Sequence, residues 1–413
     1  MDADADGGGG GAEEDDEEER PRTPVTVLSG VLGAGKTTLL KRVLEEQHGY
    51  RIAVIQNEFS TEMGIEAPLI TDSKGDVYKD IYELPNGCLC CSAKDGLISM
   101  LDRLLEERQR FDYVLVEATG TADPEAICEI FWVDEGLGSR VYLDGVVTLV
   151  DGRNALSALD GADAAGGHGD AAGLGLEHEA VKQVACADVL ILNKIDLVNE
   201  AQRKQTLARL ASVNPTAALL ESTYAAVPLG AILGIHAFDR ERLAVSLVGI
   251  APPVPAGSSR PARASFCAQH RIGAAGDCQA CLDLQGRPGE ALVGEHGVES
   301  LLVRGDSSSS LYDPEKVRSW LAGVLWEDSA GGVYRCKGLF RGPPEDEEAA
   351  GARPASVAYA LQGVGKLFEI EEAPQVAVEQ SKFLFIGRRL RAGALESGLR
   401  GCLCEAADEA MTD

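Results

Sequence analysis

Apolar and polar positions follow two rhythms along this chain. In the first half, short apolar runs at Val25–Leu28, Arg51–Gln56, Phe111–Glu117, Val141–Val150 and Val189–Leu192 carry many β-branched residues. Segments with helical spacing lie between them, clearest at Thr38–Glu46 and from about Gly96 to Arg108. Unbroken apolar strands alternating with amphipathic helices predict an α/β domain with a mostly parallel sheet. From Ile250 a Pro/Ser-rich stretch reads as a linker. Beyond it the spacing predicts strands at Ser300–Arg304, Val333–Arg341, Ser356–Glu371 and Lys382–Arg389, with a final helix over Ala392–Ala406. A helix over Asp313–Glu327 is announced by Asp313 as cap and Pro314 at the first position. That half reads as a smaller α+β domain. The expected division is an acidic tail over 1–23, an α/β domain over 24–249, a linker with an insertion over 250–297, and the α+β domain over 298–408.

The loop after the first strand carries chemistry. Gly30-Val31-Leu32-Gly33-Ala34-Gly35-Lys36-Thr37 fits the phosphate-binding pattern Gly-x-x-x-x-Gly-Lys-Ser/Thr in its strand–loop–helix setting. The glycines let backbone N–H groups wrap a polyphosphate at a helix N-terminus. Lys36 supplies charge to the outer phosphates, and the Thr37 hydroxyl suits Mg²⁺. The pattern implies a nucleoside triphosphate ligand. Glu117 ends a strand and opens Glu117-Ala-Thr-Gly120, the place where such enzymes position Mg²⁺ or the attacking water. Asn57-Glu58-Phe59 and the polar stretch to Asp80 read as a loop that is a candidate switch. About 155 residues after the phosphate loop, Asn193-Lys194-Ile195-Asp196 closes another buried strand. The Asp196 carboxylate suits the paired N1–H and N2–H donors of guanine, which adenine lacks. Asn193 pins the loop, and the Lys194 stem lies over the ring. Glu221-Ser222-Thr223 is a weaker candidate for the loop that closes over the base.

Composition narrows the partners. The 413 residues carry a formal charge of −28, of which the first 20 residues supply −9, so binding to nucleic-acid phosphates is not expected. No apolar run of 18 residues suggests a membrane span. The acid-rich, Arg-poor start does not resemble a mitochondrial transit peptide, so a cytoplasmic or nuclear setting is expected.

Eleven cysteines in a reducing compartment point to metal or redox chemistry rather than disulfides. Cys88-x-Cys90-Cys91 stands in a loop ahead of the Gly96–Arg108 helix, where a helix N-terminus favours thiolates. Zinc, redox and incidental readings all remain open there. Cys267, His270, Cys278 and Cys281 form a second candidate metal cluster, and Cys402-x-Cys404 on the last helix reads as incidental. The Ala/Gly/Asp-rich Asp160–Gly175 stretch reads as a flexible insertion, and Gly342–Arg353 as an acidic loop.

Together, Gly30–Thr37, Asn57-Glu58-Phe59, the Asn86–Cys91 run, Glu117–Gly120 and Asn193–Asp196 resemble the CobW-type GTPases of the SIMIBI class. The resemblance is strongest to the eukaryotic zinc-regulated GTPase metalloprotein activators. It runs from about Pro24 to Phe238 and resumes at Tyr334–Phe340 and Phe383–Gly387. It implies a P-loop GTPase domain followed by a CobW C-terminal-like domain, with GTP and Mg²⁺ used to deliver Zn²⁺ to a client metalloenzyme. It further implies Cys88, Cys90 and Cys91 as zinc ligands; Glu58, a nearby carboxylate, is a candidate to join them. The segment Cys91-Ser92-Ala93-Lys94-Asp95 is implied to sit beside the nucleotide. The eukaryotic activators carry a Cys-Pro-x-Leu-Val-Pro type motif that docks type 1 methionine aminopeptidase, and residues 1–24 contain no such motif. A zinc buffer regulated by GTP, and a chaperone for another metal such as cobalt, stand as the alternatives.

Overall fold

The structure, a computed structural model, describes residues 21–46, 49–56, 81–83, 93–106, 111–120, 122–133, 140–164, 175–248, 298–305, 307, 310–344 and 356–404. Seven strands of the first half form one sheet: β1 (Thr23–Ser29), β2 (Ile52–Gln56), β3 (Ile81–Glu83), β4 (Tyr113–Glu117), β5 (Val141–Asp151), β6 (Val189–Asn193) and β7 (Ala218–Glu221). Their order is β3-β2-β4-β1-β5-β6-β7, and every pairing is parallel. Both faces are covered, so successive residues of a strand enter different cores. On β4, Val114 and Val116 face one cluster and Tyr113 and Leu115 the other; on β6, Leu190 and Leu192 are opposed to Val189 and Ile191. This explains why these strands read as continuous apolar runs.

Helix α1 (Lys36–Glu45) packs Leu39, Leu40 and Val43 on one face of the sheet. On the other face lie α2 (Ala93–Glu106), α3 (Pro124–Cys128), α4 (Ile130–Val133), α5 (Ala155–Ala164) and α6 (Gly175–Cys186), which between them bury Leu97, Leu101, Ile127, Leu159 and Val181. Helix α7 (Glu200–Val213) is closed at its start by a capping box between Asn199 and Gln202. Helix α8 (Arg240–Val248) follows a loop fixed to the sheet by the fully buried Asp144. Its carboxylate accepts from the Ile235 and His236 N–H groups at 2.9 and 2.8 Å and from the Tyr113 hydroxyl at 2.6 Å.

The second half builds an antiparallel sheet, β8 (Val298–Arg304), β9 (Gly332–Gly342), β10 (Val357–Val364), β11 (Leu367–Glu372) and β12 (Lys382–Arg388), in the order β11-β10-β9-β12-β8. Phe383 and Phe385 point to α9 (Pro314–Trp326) and α10 (Ala392–Gly401), while Leu384 and Ile386 join the core shared with the first domain. Asp313 caps α9, accepting from the Glu315 and Lys316 N–H groups at 3.0 and 3.2 Å.

The domains meet over a buried charge cluster. Asp188, just before β6, accepts from the Arg335 guanidinium of β9, from Lys337 Nζ at 3.5 Å, and from the Val146 N–H at 3.0 Å. Arg335 also donates to the Cys186 carbonyl. Arg335 and Lys337 are 1% and 4% exposed, so two cations share one carboxylate in a buried interface. Burial, with Arg335 alongside, lowers the Lys337 amine to about 8.

Four sequence expectations need correction. Ser356–Glu371 is a hairpin rather than one strand, because Gly365 adopts φ 60° and turns the chain between β10 and β11. The last helix stops at Gly401, so Cys402 and Cys404 lie beyond it. Residues Asp160–Ala164 are helical, the end of α5, rather than part of an insertion. Ala93, Lys94 and Asp95 form the first turn of α2, three residues before the expected start; Ala and Lys are good helix formers, and an acidic residue suits a helix N-terminus.

Candidate functional site

The phosphate loop leaves β1 with three glycines at φ 138° (Gly30), 77° (Gly33) and 112° (Gly35). A Cβ on Gly30 would stand 2.4 Å from the Leu149 carbonyl oxygen, and one on Gly35 2.4 Å from Asn193 Nδ2, so only glycine fits at either position. Between them Leu32 is exposed and Ala34 buried. Lys36 is buried and its Nζ donates to the carbonyls of Gly30 at 2.7 Å and Val31 at 3.3 Å. Burial pushes this amine down, and the nearby Glu117 carboxylate works in the other direction. An anion entering the loop would supply the counter-charge that burial denies Lys36. Thr37 is half-buried in the first turn of α1.

Glu117, at the end of β4, accepts from Gln56 Nε2 at 2.7 Å. The chain then turns back on the phosphate loop. The Ala118 N–H donates to the Leu28 carbonyl at 2.9 Å, and a Cβ on Gly120 would be 2.6 Å from the Leu32 nitrogen. Gln183, on α6, holds this turn through Nε2, which donates to the carbonyls of Gly120 at 3.1 Å and Ala122 at 3.3 Å.

The third element is the end of β6. Asn193 is 2% exposed and uses both ends of its amide. Nδ2 donates to the Ala34 carbonyl at 2.9 Å, while Oδ1 accepts from Ser222 Oγ at 3.0 Å and the Ala225 N–H at 2.9 Å. Lys194 takes φ 60° and donates to Asp151 Oδ2 at 2.8 Å. Ile195 and Asp196 begin a single 3-10 turn, and Asp196 is exposed. The Ile195 N–H donates to the Ser222 carbonyl at 3.3 Å, which sets the Asp196 turn beside the loop after β7.

The structure thus gathers Gly30–Thr37, Glu117 and Asn193–Asp196 at the carboxyl ends of β1, β4 and β6, where open parallel sheets bind ligands. Asp151, Gln56 and Gln183 belong to the same surroundings and were not read from the sequence. Asp151 had one signal, an acid followed by Gly152 at the end of an apolar strand. Gln183 had none, since its partners lie more than 60 positions away. Glu58, Cys88, Cys90, Cys91, Ser92 and the Cys267, His270, Cys278, Cys281 cluster lie outside the described residues. Among the described residues, no group of three or more His, Cys, Asp or Glu is placed to hold a metal ion, and no helix is long and apolar enough to cross a membrane. Cys402 is buried with its thiol pushed up to about 11, chiefly by burial.

Residues 24–221 match the CobW/HypB/UreG nucleotide-binding domain, and residues 307–403 match the cobalamin synthesis protein cobW C-terminal domain. Zinc-regulated GTPase metalloprotein activator 1 of Schizosaccharomyces pombe is 29% identical over 385 residues, 89% of this chain and 82% of its own. Its Saccharomyces cerevisiae namesake is 37% identical over 229 residues, 54% of this chain and 53% of its own. The zinc chaperone YjiA of Escherichia coli is 38% identical over 226 residues, 54% of this chain and 64% of its own. The crystal structure of Zn(II)-bound YjiA GTPase superposes with a TM-score of 0.58 at 26% identity, covering 93% of this chain and 99% of that one. A Zn(II)-bound triple mutant of YjiA gives 0.59.

The phosphate loop, the acid-ended β4 and the parallel sheet define the class: this is a P-loop GTPase. Within that class, the chain carries a CobW/HypB/UreG nucleotide-binding domain joined to a CobW C-terminal domain.

Proposed function

We propose that this chain is a GTP-hydrolysing zinc metallochaperone, which binds Zn²⁺ as cargo and passes it to a client metalloenzyme with release coupled to hydrolysis. One observation carries the nucleotide half. The Asn193 amide is bonded at one end to the phosphate loop and at the other to the turn after β7, so one rigid side chain sets the distance between phosphate and base subsites. The backbone N–H groups of Gly30, Val31, Leu32, Gly33 and Gly35 cradle the phosphates, and Lys36 meets their charge. The hydroxyl of Thr37 and the carboxylate of Glu117 are hard oxygen donors that fit Mg²⁺, which spreads phosphate charge when bound. Glu117 also orients the attacking water. Asn193, Lys194, Ile195 and Asp196 read guanine.

The cargo half rests on donor chemistry and on the names of the relatives, which are zinc-regulated activators and a zinc chaperone. Thiolates of Cys88, Cys90 and Cys91, with Glu58, suit Zn²⁺. Cys91-Ser92-Ala93-Lys94-Asp95, which the family resemblance sets beside the nucleotide, would link that metal to it, with Ala93, Lys94 and Asp95 opening α2.

The test loads the protein with Zn²⁺ and adds zinc-free type 1 methionine aminopeptidase, with a chromophoric chelator as a second acceptor. Transfer accelerated by GTP, and not by GDP or a non-hydrolysable analogue, is the expected result. Transfer at one rate under all three nucleotides contradicts the proposal and leaves a passive zinc buffer.

A further inference from the structure

Five large apolar side chains are markedly exposed among the described residues, and three of them, Leu32, Leu197 and Tyr224, stand on the phosphate loop and on the turns after β6 and β7. Tyr224 is the largest of the three and is 75% exposed. It follows β7 on the turn opposite Asp196, and that turn is held from both sides. The next residue, Ala225, is fully buried and donates its N–H to Asn193 Oδ1 at 2.9 Å. Two residues before Tyr224, the Ser222 hydroxyl donates to the same oxygen and its carbonyl accepts from the Ile195 N–H.

Tyr224 and Ala225 both adopt left-handed backbone, at φ 52° and 54°. Side-chain-bearing residues hold that conformation only where the surroundings impose it, and such positions cluster at ligand sites. Here the surroundings are the Asn193 bonds. The strained pair leaves the Tyr224 ring exposed, on the loop whose Ser222 carbonyl accepts from the Ile195 N–H of the base-reading turn.

A guanine edge bonded to Asp196 still has two flat faces to shield. The Lys194 stem serves one of them, being held in place by the 2.8 Å bond from its Nζ to Asp151. We infer that the Tyr224 ring covers the other face, so that it is a base-binding residue which adds affinity by stacking. The inference rests on the guanine reading of Asp196 and extends it to a residue on a different loop. An aromatic ring stacked on a base adds affinity without selecting between purines, whereas Asp196 selects.

The test measures GDP, ADP and inorganic pyrophosphate binding by calorimetry on the full chain. Tyr224→Ala is expected to weaken GDP by about 10-fold, within the range of base–aromatic stacking. Pyrophosphate binding should be unchanged and Tyr224→Phe should match the native protein. Tyr224→Ala binding GDP as the native protein does overturns the inference. So does an equal loss of GDP and pyrophosphate, since the residue would then only support the phosphate loop. The guanine reading is judged separately by the native protein. If it binds ADP as tightly as GDP, that reading falls, and stacking still stands if Tyr224→Ala weakens both nucleotides alike.

Discussion

Asn193 donates its side-chain amide to the carbonyl of Ala34 at 2.9 Å, across 159 positions of sequence. The bond joins the base-reading strand end to the phosphate loop. Asn193→Ala leaves the Ala34 carbonyl, the Ser222 hydroxyl and the Ala225 N–H without this partner in a buried setting. Each such group costs about 1–3 kcal/mol when left unsatisfied. GDP affinity is expected to fall by roughly 10- to 100-fold, corresponding to about 1.4–2.8 kcal/mol, with the sheet retained. Calorimetry and far-UV circular dichroism on the variant check both parts.

Asp196 is exposed at the edge of the site, so changing it should alter selectivity rather than folding. The native protein should prefer GTP to ATP by about two orders of magnitude, since adenine leaves the carboxylate without its paired donors. Asp196→Asn should relax that preference with little change in thermal stability. Competition between labelled GDP and unlabelled ATP reads the ratio.

The buried cluster at the domain interface gives a stability prediction. Asp188→Ala strands the Arg335 and Lys337 cations and should cost about 3–5 kcal/mol. Lys337→Met removes a cation that the interface already disfavours and should stabilise the fold at neutral pH instead. The pH dependence follows from the lowered Lys337 amine. The unfolded chain binds this proton up to about pH 10.5, whereas the folded chain gives it up near 8. Stability therefore carries the full penalty below about pH 8 and recovers as pH rises towards 10.5. Against the native protein, Lys337→Met should be more stable at pH 7 and should lose part of the rise between pH 8 and 10. Denaturant unfolding across that range measures it.

Both chemical motifs were legible because each is contiguous. Gly30–Thr37 and Asn193–Asp196 each place their functional atoms within one strand end, so spacing alone announces them. The partners that hold them were not legible. Gln183 reaches Gly120, and Asp188 reaches Arg335, across 63 and 147 positions, and no local pattern records such pairs. The β10–β11 hairpin was hidden for another reason. β10 is buried on both faces, so Val357–Val364 shows no alternation to mark where one strand ends, and only Gly365 betrays the turn.

Turnover without a partner should be slow. The residues Gly30–Thr37, Glu117–Gly120 and Asn193–Asp196 include no arginine to meet charge developing on the phosphates. An intrinsic rate on the order of 10⁻⁴ to 10⁻² s⁻¹ is expected, as in switch GTPases without a supplied arginine. A multiple-turnover phosphate-release assay near 10 s⁻¹ with the protein alone contradicts this. Lys36→Ala should abolish nucleotide binding or turnover.

The central claim is that the nucleotide controls the metal, and a thermodynamic square tests it most directly. Zinc affinity is measured against a competing chelator with the protein bound to a GTP analogue and then to GDP. Linkage requires that any factor by which GTP changes zinc affinity is returned as the same factor by which zinc changes GTP affinity. The two nucleotide states should differ by about 5- to 150-fold, a coupling of roughly 1–3 kcal/mol. Replacing Cys88, Cys90 and Cys91 by Ser should remove the difference and spare nucleotide binding. Equal zinc affinity in the GTP-analogue and GDP states would contradict the account, because the GTPase would then have no hold on its cargo.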